Sequence, residues 1–208
     1  MSPGTTMERV YLALKAKILA AEFPPGTRLG PAELARLLET SPTPVRDALY
    51  RLSGERVVET WHHEGFRQPL LTEVDLQHLY HWAGSLLTLA LRGREPPRPP
   101  MPGGLIDLPE REAYPDAVES LFRAIASGCD NRELRYAIVN FIERSQTFRV
   151  VETRVDDGAR DALAAMEEDY RFGRWTALRS KITSFHRKRA SQAGRIIAEL
   201  RPRREPLG

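Results

Sequence analysis

The chain is short of the residues that build covalently stapled or membrane-embedded proteins. It holds one cysteine, Cys129, in 208 residues, so an intramolecular disulfide is excluded, and with it a disulfide-framed scaffold. No apolar run approaches the roughly 20 residues needed to cross a bilayer. The opening MSPGTTMERVYLAL has no basic segment followed by an apolar one, so secretion is not expected and a cytoplasmic chain without membrane association is. Histidines number five. No nucleophile stands beside a base, no glycine-rich phosphate loop is present and no ligand cluster has metal spacing, so the expectation is no enzyme, no catalytic residue, no cofactor and no metal. No segment repeats.

What is present is an ordinary globular composition, 41% hydrophobic and 28% charged, with a net charge of +3. That charge is segregated: residues 1–71 carry +1, residues 72–173 carry −6 and residues 174–208 carry +8. Near-neutrality of the first segment argues against strong non-specific attraction to a polyanion, whose affinity comes from phosphate neutralisation. A basic tail beside an acidic middle fits a last helix solvated against an acidic segment of the same chain.

Hydrophobic spacing predicts helices almost throughout. In MERVYLALKAKILAAE, residues 7–22, Val10, Leu14, Ile18 and Ala21 recur at helical spacing until Pro24 and Pro25 stop the helix. A second, over about 31–39, starts on Pro31 and is expected to bury Leu34, Leu37 and Leu38. A third begins in SPTPVRDALYRL. Pro44 disfavours helical backbone at Thr43, which predicts Thr43 as N-cap, Pro44 as the first helical residue and Arg46 as the third. VVETWHHEGFRQPLL then reads as a β-hairpin, with Gly65 able to take positive φ. From residue 72 the pattern predicts helices over 71–93, 115–128, 131–150, 156–172 and 174–200, with a Pro-rich connector at about 93–115. The fold class is therefore mainly α: an N-terminal winged helix-turn-helix, residues 1–71, followed by an all-helical bundle domain, residues 72–208.

Three helices and a hairpin in this order are those of a winged helix-turn-helix, whose third helix enters the DNA major groove by its N-terminal end. A proline-stiffened helix start suits that task. It carries partial positive charge toward phosphate, and Arg46 can reach a guanine edge or a phosphate. Ser-Pro-Thr-Pro alone would be a flexible turn; helices on both sides and the hairpin after it favour the DNA reading. Arg51, five residues further, points elsewhere, to the DNA backbone or to a surface acid.

The stretch FPPGTRLGPAELARLLETSPTPVRDALYRLSGERVVETWHHEGFRQ resembles the GntR family of bacterial transcription regulators, through PPGxxL, ELA, the serine-threonine-proline-valine-arginine run and a wing ending in Gly-Phe. The likeness covers about residues 10–71. It implies that Ser41, Thr43, Arg46 and Gly65 occupy DNA-contacting positions, with Arg46 the principal one. Pro42 stands where the family usually has arginine, so one groove contact is absent; Arg28, Arg67, His62 and His63 would compensate electrostatically. LTEVDLQHLYHW is similar to the family's FadR-type branch, which implies a helical effector-binding and dimerising domain.

That branch often builds a metal site from an aspartate and three histidines. Here Phe122 or Arg123 stands near one expected histidine and only His186 near the others, with Asp161 or Glu119 as a nearby acid at best. A lone His186 is expected to be a surface or core histidine. Asp75, His78 and His81 share a helix face, and the plainer reading is a half-exposed polar surface. The functional expectation is a dimeric transcription regulator, a repressor, that binds an inverted-repeat operator in double-stranded DNA and answers to a small-molecule effector. The rival is a cytoplasmic adaptor that uses the winged helix for protein contacts; an acid in place of Arg46 would favour it, and Arg46 is present.

Overall fold

The computed structural model describes residues 3–61, 65–94 and 113–200. Two compact units divide between Leu71 and Thr72. In the first, α1 (Pro3–Leu19), α2 (Pro31–Leu37) and α3 (Pro42–Gly54) precede β1 (Glu59–Trp61) and β2 (Gly65–Arg67). The strands pair antiparallel, Glu59 opposite Arg67, Thr60 opposite Phe66 and Trp61 opposite Gly65. The segment after the Pro-Pro stop joins them: Arg28 bridges Arg67, Leu29 N–H donates to the Phe66 carbonyl at 2.8 Å and Gln68 N–H to the Thr27 carbonyl at 2.8 Å. Val10, Leu14 and Ile18 of α1, Leu34 of α2, Val45, Leu49 and Leu52 of α3 and Phe66 of the wing form one buried core.

α1, α2 and α3 end alike, which explains two departures from the expected pattern. Glu22 N–H reaches the Lys17 carbonyl, Thr40 N–H that of Ala35 and Val57 N–H that of Leu52, each spanning five residues. The preceding residues, Ala21, Glu39 and Arg56, take φ of 58°, 49° and 60°. This is the left-handed cap usually given to glycine, adopted by L-residues at about 1–2 kcal/mol each. Ala21, expected in the α1 stripe, is thereby carried out of the helix and exposed. Leu37, expected to be buried, is 53% exposed, because it lies roughly opposite Ala35 on the helix and Ala35 is the residue that packs inward.

The second unit holds α4 (Glu73–Ala90), α5 (Tyr114–Ser127), α6 (Arg132–Val155), α7 (Ala159–Arg171), α8 (Trp175–Ser191) and α9 (Ala193–Leu200). α4 packs along α8, and α5 along α6. Leu121, Ile125, Ile138, Phe141, Ile142, Ile182, Phe185 and Ile196 are buried, as their spacing predicts, whereas Ile197, expected with them, is half-buried. α6 runs five residues beyond the expected 150, to Val155. The single helix expected over 174–200 is broken at Gln192. Just past the break, a Cβ on Gly194 would stand 2.8 Å from Glu73 Oε2, the movable end of an exposed side chain, where α9 meets the start of α4. The Pro-rich connector falls mostly outside the described residues.

Candidate nucleic-acid interface

α3 begins two residues earlier than the pattern predicts. Ser41, extended at φ −85° and ψ 159°, is the N-cap, and Pro42, Thr43 and Pro44 are its first three residues. The first four N–H groups of a helix have no intrahelical partner, so prolines at the first and third positions cost no hydrogen bond. The helix thus overrides the pre-proline bias at Thr43, and Arg46 is the fifth residue, not the third. Val45, Ala48, Leu49 and Leu52 turn into the core. The opposite face is exposed and carries Thr43, Arg46, Asp47 and Tyr50 at helical spacing. Tyr50 is an addition to the expected contacts. It is 60% exposed, with its ring edge on Phe66 at 4.9 Å between centroids, and its spacing from Arg46 and Thr43 is the signal in the sequence that could have found it.

Gly65 turns the wing at φ +93°, and a Cβ there would meet no atom within 4 Å. Its conformation, not crowding, is what requires glycine. Phe66 points into the core, so its neighbours face outward. There Arg28, Arg67 and Glu59 stand in one cross-strand row. Arg67 Nε and Nη2 both approach Glu59 Oε2 at 2.9 Å, and its guanidinium carbon lies 3.4 Å from the centre of the Trp61 ring. Sequence reasoning misses Glu59 and Trp61, although the hairpin register places both beside Arg67. His62 and His63 lie outside the described residues.

Arg51 takes the surface-acid alternative. Its Nη1 donates to Glu8 at 2.8 Å, its Nε lies 3.5 Å from Glu55, and its guanidinium covers the Tyr11 ring at 3.6 Å. Tyr11 in turn donates to Glu55 at 2.8 Å, and Lys15 to Glu55 at 2.8 Å. Arg51 therefore ties α3 to α1, and Arg28, Arg36, Arg46 and Arg56 remain exposed beside the half-buried Arg67.

The helical unit contains a polar core. Glu152 accepts from Tyr80 at 2.7 Å, Tyr114 at 2.8 Å and Arg189 Nε at 2.9 Å. Burial pushes its carboxyl up, but Arg189, the two tyrosine hydroxyls and Arg149 outweigh this and hold it below the usual value. Arg149, also buried, donates to Ser145 at 2.7 Å and Gln146 at 3.0 Å and lies 5.6 Å from the Phe122 and Phe141 ring centres. No carboxylate among the described residues stands within ion-pair distance of it.

His186 is a core histidine, 2% exposed, among Phe122, Phe141, Phe185 and Tyr80. Its Nδ1 meets the Ile182 carbonyl at 2.9 Å, Nε2 is buried without a partner, and burial pulls its pKa down to about 4. Among the described residues no three His, Cys, Asp or Glu converge on a metal position. Asp75 caps α4 with Thr72, and His78 and His81 are not brought together with it into any such group. The basic α8 is answered by acids: Lys188 by Asp156 at 2.8 Å, Lys181 by Asp169 at 2.7 Å and Arg189 by Glu152. No helix among the described residues is long and apolar enough to cross a membrane.

A winged helix-turn-helix that displays an arginine and a tyrosine on the outer face of its third helix has the architecture that DNA-binding units share. Residues 6–67 match the family described as bacterial regulatory proteins, gntR family. An HTH-type transcriptional regulator of Agrobacterium vitis, in the TAR-I ttuE-ttuC' intergenic region, is 27% identical over 125 residues, which are 60% of this chain and 70% of that one. Two solved structures share the fold. A transcriptional regulator GntR from Rhodococcus sp. RHA1 superposes with a TM-score of 0.65 at 17% identity, over 91% of this chain and 97% of its own. E. coli McbR/YncC gives 0.63 at 16%, over the same 91% and 97%.

Proposed function

We propose that the chain is a sequence-specific transcription repressor of the FadR-type branch, acting in the bacterial cytoplasm. Residues 1–71 read DNA and residues 72–208 pair two copies and receive a small-molecule effector. The observation that carries the DNA reading is the exposed face of α3, where Arg46 and Tyr50 follow a start stiffened by Pro42 and Pro44. Arg46 takes a base edge or phosphate, Ser41 and Thr43 position the helix start, and Gly65, Arg28 and Arg67 bring the wing to the backbone. One winged helix reads few base pairs, so selectivity calls for two half-sites and a two-fold protein. The effector is received beside Arg149, whose buried guanidinium bonds the neutral Ser145 and Gln146 and meets Glu152 from beyond ion-pair distance.

Two measurements test this reading. Sedimentation at micromolar concentration is expected to give a dimer, and cleavage protection on bound DNA a footprint with two-fold symmetry. A monomer on one asymmetric site would overturn the dimeric reading, and absence of any duplex binding would overturn the function.

A further inference from the structure

We propose that Glu59 is a restraining residue of the wing: it holds Arg67 away from phosphate and lowers the domain's affinity for DNA of any sequence. The inference rests on the reading of residues 1–71 as the DNA-binding domain. Directly opposed residues in an antiparallel pair point to the same face with Cβ atoms about 4.5–5.5 Å apart. The bridge Arg28–Arg67 and the pair Glu59–Arg67 therefore set two cations and one anion side by side on the outward face. Arg67 occupies the middle. Its Nε edge is closed by Glu59 and one face by Trp61, both on the same strand.

Glu59 acts on DNA affinity in two ways with the same sign. An arginine bound through Nε and Nη2 to a carboxylate must leave it before presenting that edge to a phosphate. The carboxylate itself, 37% exposed, also stands within a Debye length, about 8–10 Å, of any backbone that reaches Arg28 or Arg67. The pair is exposed enough to break, since surface ion pairs of this kind are weak, so Glu59 restrains the wing without disabling it. An acid on the wing thus weakens backbone attraction while leaving the base-reading face of α3 untouched. The near-neutral first segment, +1 over 71 residues, then makes affinity depend on the groove contact.

The test uses the full chain and a short duplex of random sequence, followed by fluorescence anisotropy between about 0.05 and 0.2 M salt. Glu59→Gln, nearly isosteric, is expected to bind roughly two- to fivefold more tightly than the parent. Its plot of log affinity against log salt should steepen by about 0.9 per wing, the value of one further phosphate neutralised. Adding Arg67→Gln should remove most of the gain. Glu59→Gln binding equally or more weakly, with its melting temperature unchanged, would overturn the proposal and make Glu59 a residue that positions Arg67 for DNA. A parent chain that binds no duplex would overturn the DNA-binding reading and this one together; a parent that binds, with no gain in Glu59→Gln, overturns this one alone.

Discussion

Arg189 Nε lies 2.9 Å from Glu152 Oε2, with the two side chains 1% and 3% exposed. The pair joins α8 to α6, and the hydroxyls of Tyr80 and Tyr114 extend it to α4 and α5. Removing one member of a buried pair strands the other charge, which costs about 3–5 kcal/mol. Glu152→Ala is therefore expected to melt well below the parent, in thermal unfolding followed by circular dichroism. A loss under about 1 kcal/mol would mean that water reaches Arg189 readily.

Acid should weaken the helical unit in two stages. His186 takes a proton near its ordinary 6.5 when unfolded but only near about 4 when folded, because burial disfavours the imidazolium. Between these values the unfolded chain binds more protons, so stability falls as pH falls, by an amount of order 3 kcal/mol across the window. Glu152 adds its loss at lower pH, as the carboxyl is protonated below its ordinary 4.5. Denaturant midpoints between pH 6.5 and 4.5 carry the histidine's contribution, opposed by Glu167, whose carboxyl burial raises above its ordinary 4.5. His186→Phe, which extends the surrounding aromatic cluster, should flatten the profile there; an unchanged slope would assign it to other groups.

Arg149 is expected to behave unlike Arg189. Its hydrogen-bond partners are not stranded without it, since Ser145 Oγ also donates to the Phe141 carbonyl at 2.8 Å and Gln146 is half-exposed. Glu152 keeps Arg189 and both tyrosines. A buried cation without a carboxylate at ion-pair distance carries a desolvation cost that an apolar side chain of similar length does not. Arg149→Met should leave the melting temperature unchanged or raise it by about 2–4 °C. A fall of that size or more would make Arg149 a structural brace and remove the support it gives to an effector site.

Much of the fold is legible in the sequence, and the remainder has identifiable causes. Helix order follows from apolar spacing, and the wing from β-branched and aromatic residues around Gly65, because periodicity and turn chemistry are local. The start of α3 is misplaced when Thr43 is judged by its one proline neighbour, whereas the helix is decided by the burial of Val45, Ala48 and Leu49 together. Leu37 is misjudged because leucine in a seven-residue helix has little phase information. Arg149, Glu152 and Arg189 cannot be recognised as core from sequence, since charged residues in a helix pattern read as solvent-facing until their partners on other helices are known. Arg51 and Arg67 look alike as cations; only tertiary contacts show both to be held by acids.

The two arginines of α3 should separate function from folding. Arg46→Ala is expected to weaken specific DNA binding by about 1–3 kcal/mol and to relax preference at one position in each half-site, without changing the melting temperature. Arg51→Ala loses contacts to Glu8, Glu55 and Tyr11. It should lower the melting temperature by about 2–4 °C, the equivalent of about 1 kcal/mol, and leave base preference intact. The shift assay and the melt, done on both variants, check this; the reverse assignment would place Arg51 in the groove.

The most direct measurement of the central claim is selection of bound sequences from a random DNA pool by the full chain, repeated with Arg46→Ala. The account predicts that the parent enriches an inverted repeat whose half-sites each contain a strongly preferred position, and that Arg46→Ala blurs that position in both halves. A pool that stays random after repeated rounds, or an enriched site indifferent to Arg46, would contradict it.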